Sequence, residues 1–349
     1  MTLETLFRRV KDATKSALDT FLTWAGRLIF WASLGPLLIR RGKRSPKVLM
    51  YHDCSPTENA FTRGLGIHTT PEQLTAHLDF LSRHYRVIEP SRLPGTSHDR
   101  PVVVITFDDG FYSVFKNAWP MLRERGWPFV VYLTTDVIGN RTLLWLNEVN
   151  WLIYQHAKIS RPMIADYLGV SPDSDPAALV EYYDRDRIDG LLSNLRAATG
   201  TNAAALPHES RLHLSWEEIT EMAEAGVLFG NHTASHPPLA CLSQDERRDE
   251  IGRAAARLAS LPGALASLAY PFGSHDEATR ALALELGYSQ LMDVQGVNRP
   301  FDPTRIGRIK VGAHSVAELF ARMEVVEPVK AALKRWLKPT HLRSGPRGA

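Results

Sequence analysis

The chain has 349 residues, more than an ordinary domain needs but a length that one α/β barrel can absorb. With 44% hydrophobic and 23% charged residues it is neither a disordered nor a collagen-like sequence, and its two cysteines, Cys54 and Cys241, exclude a disulfide framework and a four-cysteine zinc site. The net charge of +3 is partitioned: residues 1–47 carry ten Lys/Arg against three Asp/Glu, residues 327–349 six against one, and the stretch between them 25 against 34.

Residues 17–39 form a largely apolar run in which 28–39 hold no charge. The uncharged part is shorter than the ~20 residues that cross a bilayer, and extending it back takes in Asp19 and Arg27. A cleavable leader is not expected, because the run starts late and ends in Arg40-Arg41-Gly42-Lys43-Arg44. Trp24, Trp31 and the flanking basic residues suit a helix lying in a membrane interface, with a true span and a helix packed on the body as the other readings. Segment 328–341 repeats the theme, with Val329, Leu333, Trp336 and Leu337 at helical spacing among Lys330, Lys334, Arg335 and Lys338. Basic ends around an acidic middle suggest that the ends meet an anionic surface; solvated charge on two terminal helices would give the same pattern.

From Lys47 onward strands and helices alternate. A strand over 47–51 ends in Tyr51-His52-Asp53, and Thr70 caps a helix with Pro71 at its first position and Leu74, Leu78 and Leu81 on its buried stripe. Residues 101–107 (PVVVITF) read as a strand buried on both faces and lead into Asp108-Asp109-Gly110. A helix over 112–125 and a strand over 129–133 follow, then a helix over 216–225 and a strand over 227–230 ending in Asn231-His232. A helix over 244–259, a strand over 265–270, a helix over 277–286 and a strand near 290–294 complete the series. Such a series predicts a parallel α/β sheet or barrel. Residues 140–213 break the rhythm and read as a helical insertion that covers or shapes the cleft.

Polar residues gather at the strand ends. Adjacent carboxylates such as Asp108 and Asp109 repel unless a cation neutralises one, so metal plus base is one reading and a helix cap plus first-turn Asp another. His232 and His236 stand at i, i+4, a spacing that sets two imidazoles on one side of a helical turn and suits a metal. With Asp109 they offer two imidazoles and a carboxylate. Carboxyl ends of strands are where α/β folds gather active sites.

Ile-Thr-Phe-Asp-Asp-Gly (105–110), the pair His232 and His236, and Ala-Tyr-Pro-Phe-Gly (269–273), in this order, resemble the polysaccharide deacetylase (NodB-homology, carbohydrate esterase family four) domain. Val-Leu-Met-Tyr-His-Asp (48–53) and Leu-Ser-Trp-Glu-Glu (214–218) resemble its poly-N-acetylglucosamine deacetylase branch. The resemblance covers roughly 48–312 and implies a distorted (β/α) barrel that removes an N- or O-acyl group, most simply acetyl, from a sugar with a divalent metal, most simply zinc. Asp109, His232 and His236 would bind the metal, Asp108 would be the general base, and the backbone N–H of Phe272 would steady the oxyanion. Where the family usually carries a base-orienting arginine this chain has Ala269, and Arg308 is the expected replacement. The usual late Leu-x-His motif is unclear; His52 is preferred over His314 as the general acid, with its strand moved to the front by circular permutation.

The expected organisation is a membrane-associating segment over 1–46, a deacetylase domain over 47–326 with its insertion near 140–213, and a basic tail over 327–349. The expected partners are a polysaccharide or lipid-linked sugar and a membrane surface, at the cytoplasmic face of an inner membrane; the oligomeric state is not legible. No nucleic-acid motif accompanies the basic ends. A non-catalytic carbohydrate-binding module of the same fold, and a hydrolase of another C–N bond, are the rival readings.

Overall fold

The structure is a computed structural model and describes residues 3–41, 45–93, 100–294 and 296–337. Helices α1 (Leu3–Trp31) and α2 (Gly35–Arg41) precede β1 (Lys47–Tyr51), α3 (Pro71–His84), β2 (Arg86–Val87) and β3 (Val102–Phe107). Next come α4 (Trp119–Glu124) and β4 (Val130–Leu133), then a helical stretch of α5 (Trp145–Gln155), α6 (Ala157–Leu168), α7 (Arg185–Thr199) and α8 (Leu206–Ser210). The alternation resumes with α9 (Trp216–Glu224), β5 (Leu228–Asn231), α10 (Gln244–Leu258), β6 (Ala264–Ala269), α11 (Glu277–Glu285) and β7 (Gln290–Met292). It closes with β8 (Ile309–Lys310), α12 (Val316–Ala321) and α13 (Glu327–Leu337).

Every strand pairing is parallel, in the order β7-β6-β5-β4-β3-β1-β8 with β2 beside the start of β3. The strands at its centre are buried throughout, as their runs of Val, Ile and Leu require. The segment entering β8 bridges Met292 of β7 at Ile306 and pairs with Leu49 of β1 at Ile309, so it curls the sheet back towards itself. The result is the expected distorted (β/α) barrel, open enough to be called a half-barrel, with all carboxyl ends on one rim. β1 and β3 run in register from Lys47↔Val103 to Tyr51↔Phe107, which brings His52 and Asp108 to the rim side by side.

The helices begin where the sequence calls for them. Thr70 forms a capping box with Gln73, as Ser215 does with Glu218 and Ser243 with Glu246, and Leu74, Leu78 and Leu81 are fully buried. The helix expected over 112–125 begins at Tyr112, but it is not regular: it widens into a π-helical turn over Val114–Ala118 before continuing as α4 from Trp119. Pro120 has no N–H to donate, and the wider π turn absorbs that missing bond. Strand ends shift by one or two residues from their expected places. Residues 140–213 form α5 to α8, and Asn147 and Asn150 of α5 donate hydrogen bonds to the carbonyls of Phe61, Ala60 and Arg63 at 2.9–3.2 Å, clamping the loop after β1.

Neither terminal helix stands apart. α1 packs through Leu22 and Gly26 on α12, and α13 is tied to it by a Lys330–Asp19 ion pair at 2.6 Å. No single helix among the described residues is long and apolar enough to cross a membrane; residues 16–31 and 35–41 pass that test only as a pair bent by 112°. The expected tail beyond Leu337 lies outside the described residues.

Candidate active site

Asp108 and Asp109 follow β3, and on extended backbone two adjacent side chains point to opposite faces. Here Asp109 itself takes the left-handed conformation (φ 71°) and Gly110 follows at φ 73°, so the chain turns and both carboxylates enter one cavity. A left-handed Asp is tolerated but costs energy, and such strain concentrates at functional sites. His232 and His236 follow β5, but not on the helical turn that their spacing suggested. The segment is a loop with Thr233 and His236 both at positive φ (68° and 65°), fixed by Thr233 Oγ1, which accepts from the His236 N–H at 3.1 Å. The i, i+4 spacing therefore works through a tight loop.

Asp109, His232 and His236 converge, with ligand atoms all within 4.8 Å of one another. Oδ1 of Asp109 lies 3.4 Å from His232 Nε2 and 3.3 Å from His236 Nε2, and the two Nε2 atoms lie 3.2 Å apart. Nδ1 of His232 meets the Ala269 carbonyl at 2.8 Å, so the ring donates there and turns its Nε2 towards the cluster. Oδ1 of Asp109 and Nδ1 of His236 are buried and have no hydrogen-bond partner among the described residues. Two ring nitrogens and a carboxylate oxygen facing one another in a buried site repel unless a proton or a metal ion lies between them. The donor set of two imidazoles and one carboxylate is that of a catalytic zinc site with open positions, and the residues present fit such an ion.

Asp108 stands beside this cluster but is engaged elsewhere. Arg308 donates to it in a fork, NH1 to Oδ1 and NH2 to Oδ2, each at 2.7 Å. The guanidinium is fully buried, donates also to the Asp293 carbonyl at 3.1 Å, and lies over the Tyr132 ring at 5.4 Å. Arg308 thus reaches the carboxylate from the curling segment ahead of β8, not from β6, where Ala269 stands.

The electrostatics follow from two carboxylates and one buried cation. Burial pushes Asp108 up, but Arg308 and then His232 outweigh it and hold the carboxyl below its ordinary value. Asp109 is pushed up by burial and pulled further down by His236 and His232. Burial drives His236 down to about 3, whereas His232, although buried, is raised because it lies against both carboxylates. The cluster carries an excess negative charge that Arg308 alone does not cancel, which is the electrostatic condition for holding a metal cation.

His52, at the end of β1, lines the same cavity of about 320 Å3, and burial lowers its pKa despite the carboxylates nearby. Phe272 also lines it, in the left-handed region at φ 57°, with its ring edge-on to His236 at 4.5 Å between centroids. Gly273 must follow in the same region (φ 66°), where a Cβ would lie 2.3 Å from Val294 Cγ2. His314 is not at the cavity: its carbonyl meets His77 Nε2 at 2.8 Å and its Nδ1 accepts from the Gly312 N–H. All seven expected site residues (His52, Asp108, Asp109, His232, His236, Phe272 and Arg308) meet within or against one cavity.

Sequence reasoning missed Lys310 and the apolar wall. Lys310 lies two residues beyond Arg308 on the same face of the chain, so a period of two was a usable signal; it lines the cavity and donates to the Leu65 carbonyl at 2.9 Å. Leu65, Ile67, Leu144, Leu146 and Val180 complete the wall, drawn from the loop after β1 and from the insertion. The Ala269 carbonyl, which sets the His232 tautomer, is a backbone group with no sequence signal.

A buried acid–imidazole cluster at the carboxyl rim of a parallel (β/α) barrel lies where such barrels keep their active sites, and fold and site together place this chain among the (β/α) barrel enzymes. It belongs to the polysaccharide deacetylase family, whose sequence model matches residues 95–291; these are hydrolases of carbon–nitrogen bonds in acetyl amides. His52 and Arg308 lie outside the matched span. YxkH of Bacillus subtilis (strain 168), which carries the family's name, is 24% identical over 143 residues, 38% of this chain, and the match spans about half (48%) of that relative's length. Among solved structures, Streptococcus pyogenes deacetylase PplD in complex with acetate superposes with a TM-score of 0.52 at 18% identity, over 80% of this chain and 98% of that one. IcaB from Ammonifex degensii gives 0.53 at 20% identity over 80% and 97%. At these identities the structures establish the shared barrel.

Proposed function

We propose that this protein hydrolyses the N-acetyl group of a sugar in a polysaccharide or lipid-linked glycan, using a divalent metal, zinc by its donor set, held by Asp109, His232 and His236. The observation that carries the reading is the convergence of those three ligands beside an Asp108 clamped by Arg308 in one cavity. The ion, when bound, supplies Lewis-acid polarisation of the acyl carbonyl and lowers the pKa of water.

The chain's own residues do the rest. Asp108, kept ionised by Arg308, takes the proton from the attacking water. The two guanidinium hydrogen bonds hold the carboxylate in one rotamer, so it is oriented before substrate arrives. As the carbonyl becomes tetrahedral, the Phe272 N–H donates to the developing oxyanion, a contact worth about 3–4 kcal/mol in acyl transfer. The nitrogen cannot leave as an amide anion, and His52 delivers a proton to it as the C–N bond breaks. Water enters, and a free amine and acetate leave.

The charge partition of the chain supports a working place at a membrane surface, at the cytoplasmic face of an inner membrane, where lipid-linked or nascent glycans are met. The apolar wall of Leu65, Ile67, Leu144, Leu146 and Val180 offers few partners to sugar hydroxyls, which favours a short or lipid-linked glycan over the interior of a long polymer.

Acetate release from defined N-acetylglucosamine oligomers and from a lipid-linked amino sugar, with and without chelator, tests the reading. Activity that chelator abolishes and zinc restores is the expected outcome, with His232→Ala losing the metal by elemental analysis. Metal retained at full stoichiometry by His232→Ala would sink the ligand assignment. Glycan binding without turnover under any metal would favour the non-catalytic module.

A further inference from the structure

Over residues 21–31 helix α1 is apolar on two opposite faces, and the protein covers only one of them. On the covered face Leu22 and Gly26 are buried, and a Cβ on Gly26 would come within 2.5 Å of Ala321 Cβ. Phe30 rests on Phe80 and Phe320 with ring centroids 6.2 and 5.5 Å away. On the other face Phe21, Trp24, Leu28 and Trp31 succeed one another at three- and four-residue steps and are 64, 60, 50 and 73% exposed. In the turn before α2 Leu34 is 50% exposed, Leu37 of α2 is 65% exposed, and α13 adds Trp336 at 80%. A helix apolar all round is ordinarily buried all round. Half of this one faces outward with two tryptophans on it.

We propose that this facet of α1 and α2, with Trp336 of α13, seats in the headgroup–acyl boundary of an anionic phospholipid bilayer, with α1 and α2 lying in the plane of the membrane. Four large apolar side chains in succession on one face of α1, with Leu34, Leu37 and Trp336 exposed as well, exceed the scattered exposure normal for a soluble surface. Tryptophan is the side chain that prefers this depth, where the ring is apolar and the indole N–H stays wet. Charge complementarity selects the lipid: Arg40, Arg41 and Lys334 are exposed on the same helices, while Arg27, though half exposed, is engaged by Glu318 at 3.4 Å, and residues 48–326 are acidic. Each such cation is attracted to an anionic leaflet, and the apolar face supplies the rest.

In-plane seating follows from the covered face. A helix crossing the bilayer would have to be stripped from α12 and would leave Phe80, Phe320 and Ala321 bare, and no single described helix has the length and apolarity to cross. Because α1 is packed on the barrel, the membrane contact and the active-site rim move as one body. The proposal rests on the membrane reading above and is independent of the catalytic one.

The experiment uses the full chain, synthesised in a cell-free system with vesicles of phosphatidylcholine, either alone or with one-third phosphatidylglycerol, and separated by flotation. The full chain should float with anionic vesicles, less so in high salt, with blue-shifted tryptophan emission. Trp24→Glu/Trp31→Glu should lower vesicle partitioning at least about tenfold, with thermal melting, metal content and acetate release from a soluble substrate unchanged. No flotation with either vesicle, or unchanged flotation of the double variant, overturns the proposal. So does a dimer in vesicle-free solution that the double variant dissolves, which would make the facet a subunit interface. An amino-terminal tag shielded inside vesicles from added protease would show a span and overturn the in-plane geometry. Loss of flotation with intact turnover tells failure of this docking apart from failure of the hydrolase reading.

Discussion

Arg308 and Asp108 show how one buried pair serves both folding and chemistry. The pair is fully desolvated, so its parts are worth more together than singly: removing one partner of a buried ion pair costs about 3–5 kcal/mol because the other charge is left without compensation. Arg308→Met should therefore lower stability on that scale, read by denaturant unfolding, and lower kcat with little change in KM or metal content. Asp108→Asn keeps one acceptor for Arg308 but sets an amide N–H against the other guanidinium N–H, so it gives up part of that stability; it should retain metal while losing about 100-fold or more in rate, the scale of a lost general base, and near-normal turnover would reject its role. For His52, amide and activated aryl ester substrates discriminate, since only the amide needs a proton on its leaving group. His52→Ala should slow the amide far more than the ester. A selective loss in His314→Ala instead would move the acid to a residue that lies away from the cavity.

Elements here are positioned by backbone features as much as by propensity. The loop after β5 presents His232 and His236 only because Thr233 and His236 adopt left-handed conformations, and the turn after β6 presents Phe272 by the same device. Helix α5 does the corresponding work on the other wall, where Asn147 and Asn150 secure the loop carrying Leu65 and Ile67. At the amino terminus the close approach of α1 to α12 depends on the missing side chain of Gly26, next to Ala321. Gly26→Leu should detach α1 or strain it by about 1–3 kcal/mol. Limited proteolysis would read this as faster cleavage within residues 3–31, with turnover of a soluble substrate preserved. Cleavage no faster than in the parent chain would show that the interface repacks around the larger side chain.

At the scale of the whole molecule, charge and apolarity are sorted by region. The barrel is acidic and keeps its functional groups at one rim, while basic and aromatic residues gather on the two terminal helices that share a side of it. The helical stretch α5 to α8 is inserted between β4 and β5 without disturbing their pairing, which runs in register from Val130↔Leu228 to Leu133↔Asn231. An insertion after a strand's carboxyl end emerges at the active-site rim, so its consequence is cavity shape, not topology.

The sequence by itself determined the repeating β–α series, the caps, the buried strand over 102–107 and the composition of the site, because these depend on local periodicity and on chemically distinctive residues. It marked Asp108, Asp109, His232 and His236 as strand-end groups, while His52 and Arg308 came in as partners through the family resemblance alone. Only the tertiary structure decided how they meet. Arg308 comes from a segment 200 residues from Asp108, placed there by the curl of the sheet between β7 and β1. The His pair gathers on a loop whose positive φ angles no spacing rule encodes. The apolar wall and the Ala269 carbonyl went unread because aliphatic side chains and backbone oxygens carry no local mark of the site they line. The two faces of α1 were likewise inseparable in sequence: Leu22 and Phe21 are both apolar, and which of them meets protein is decided by where α12 lies.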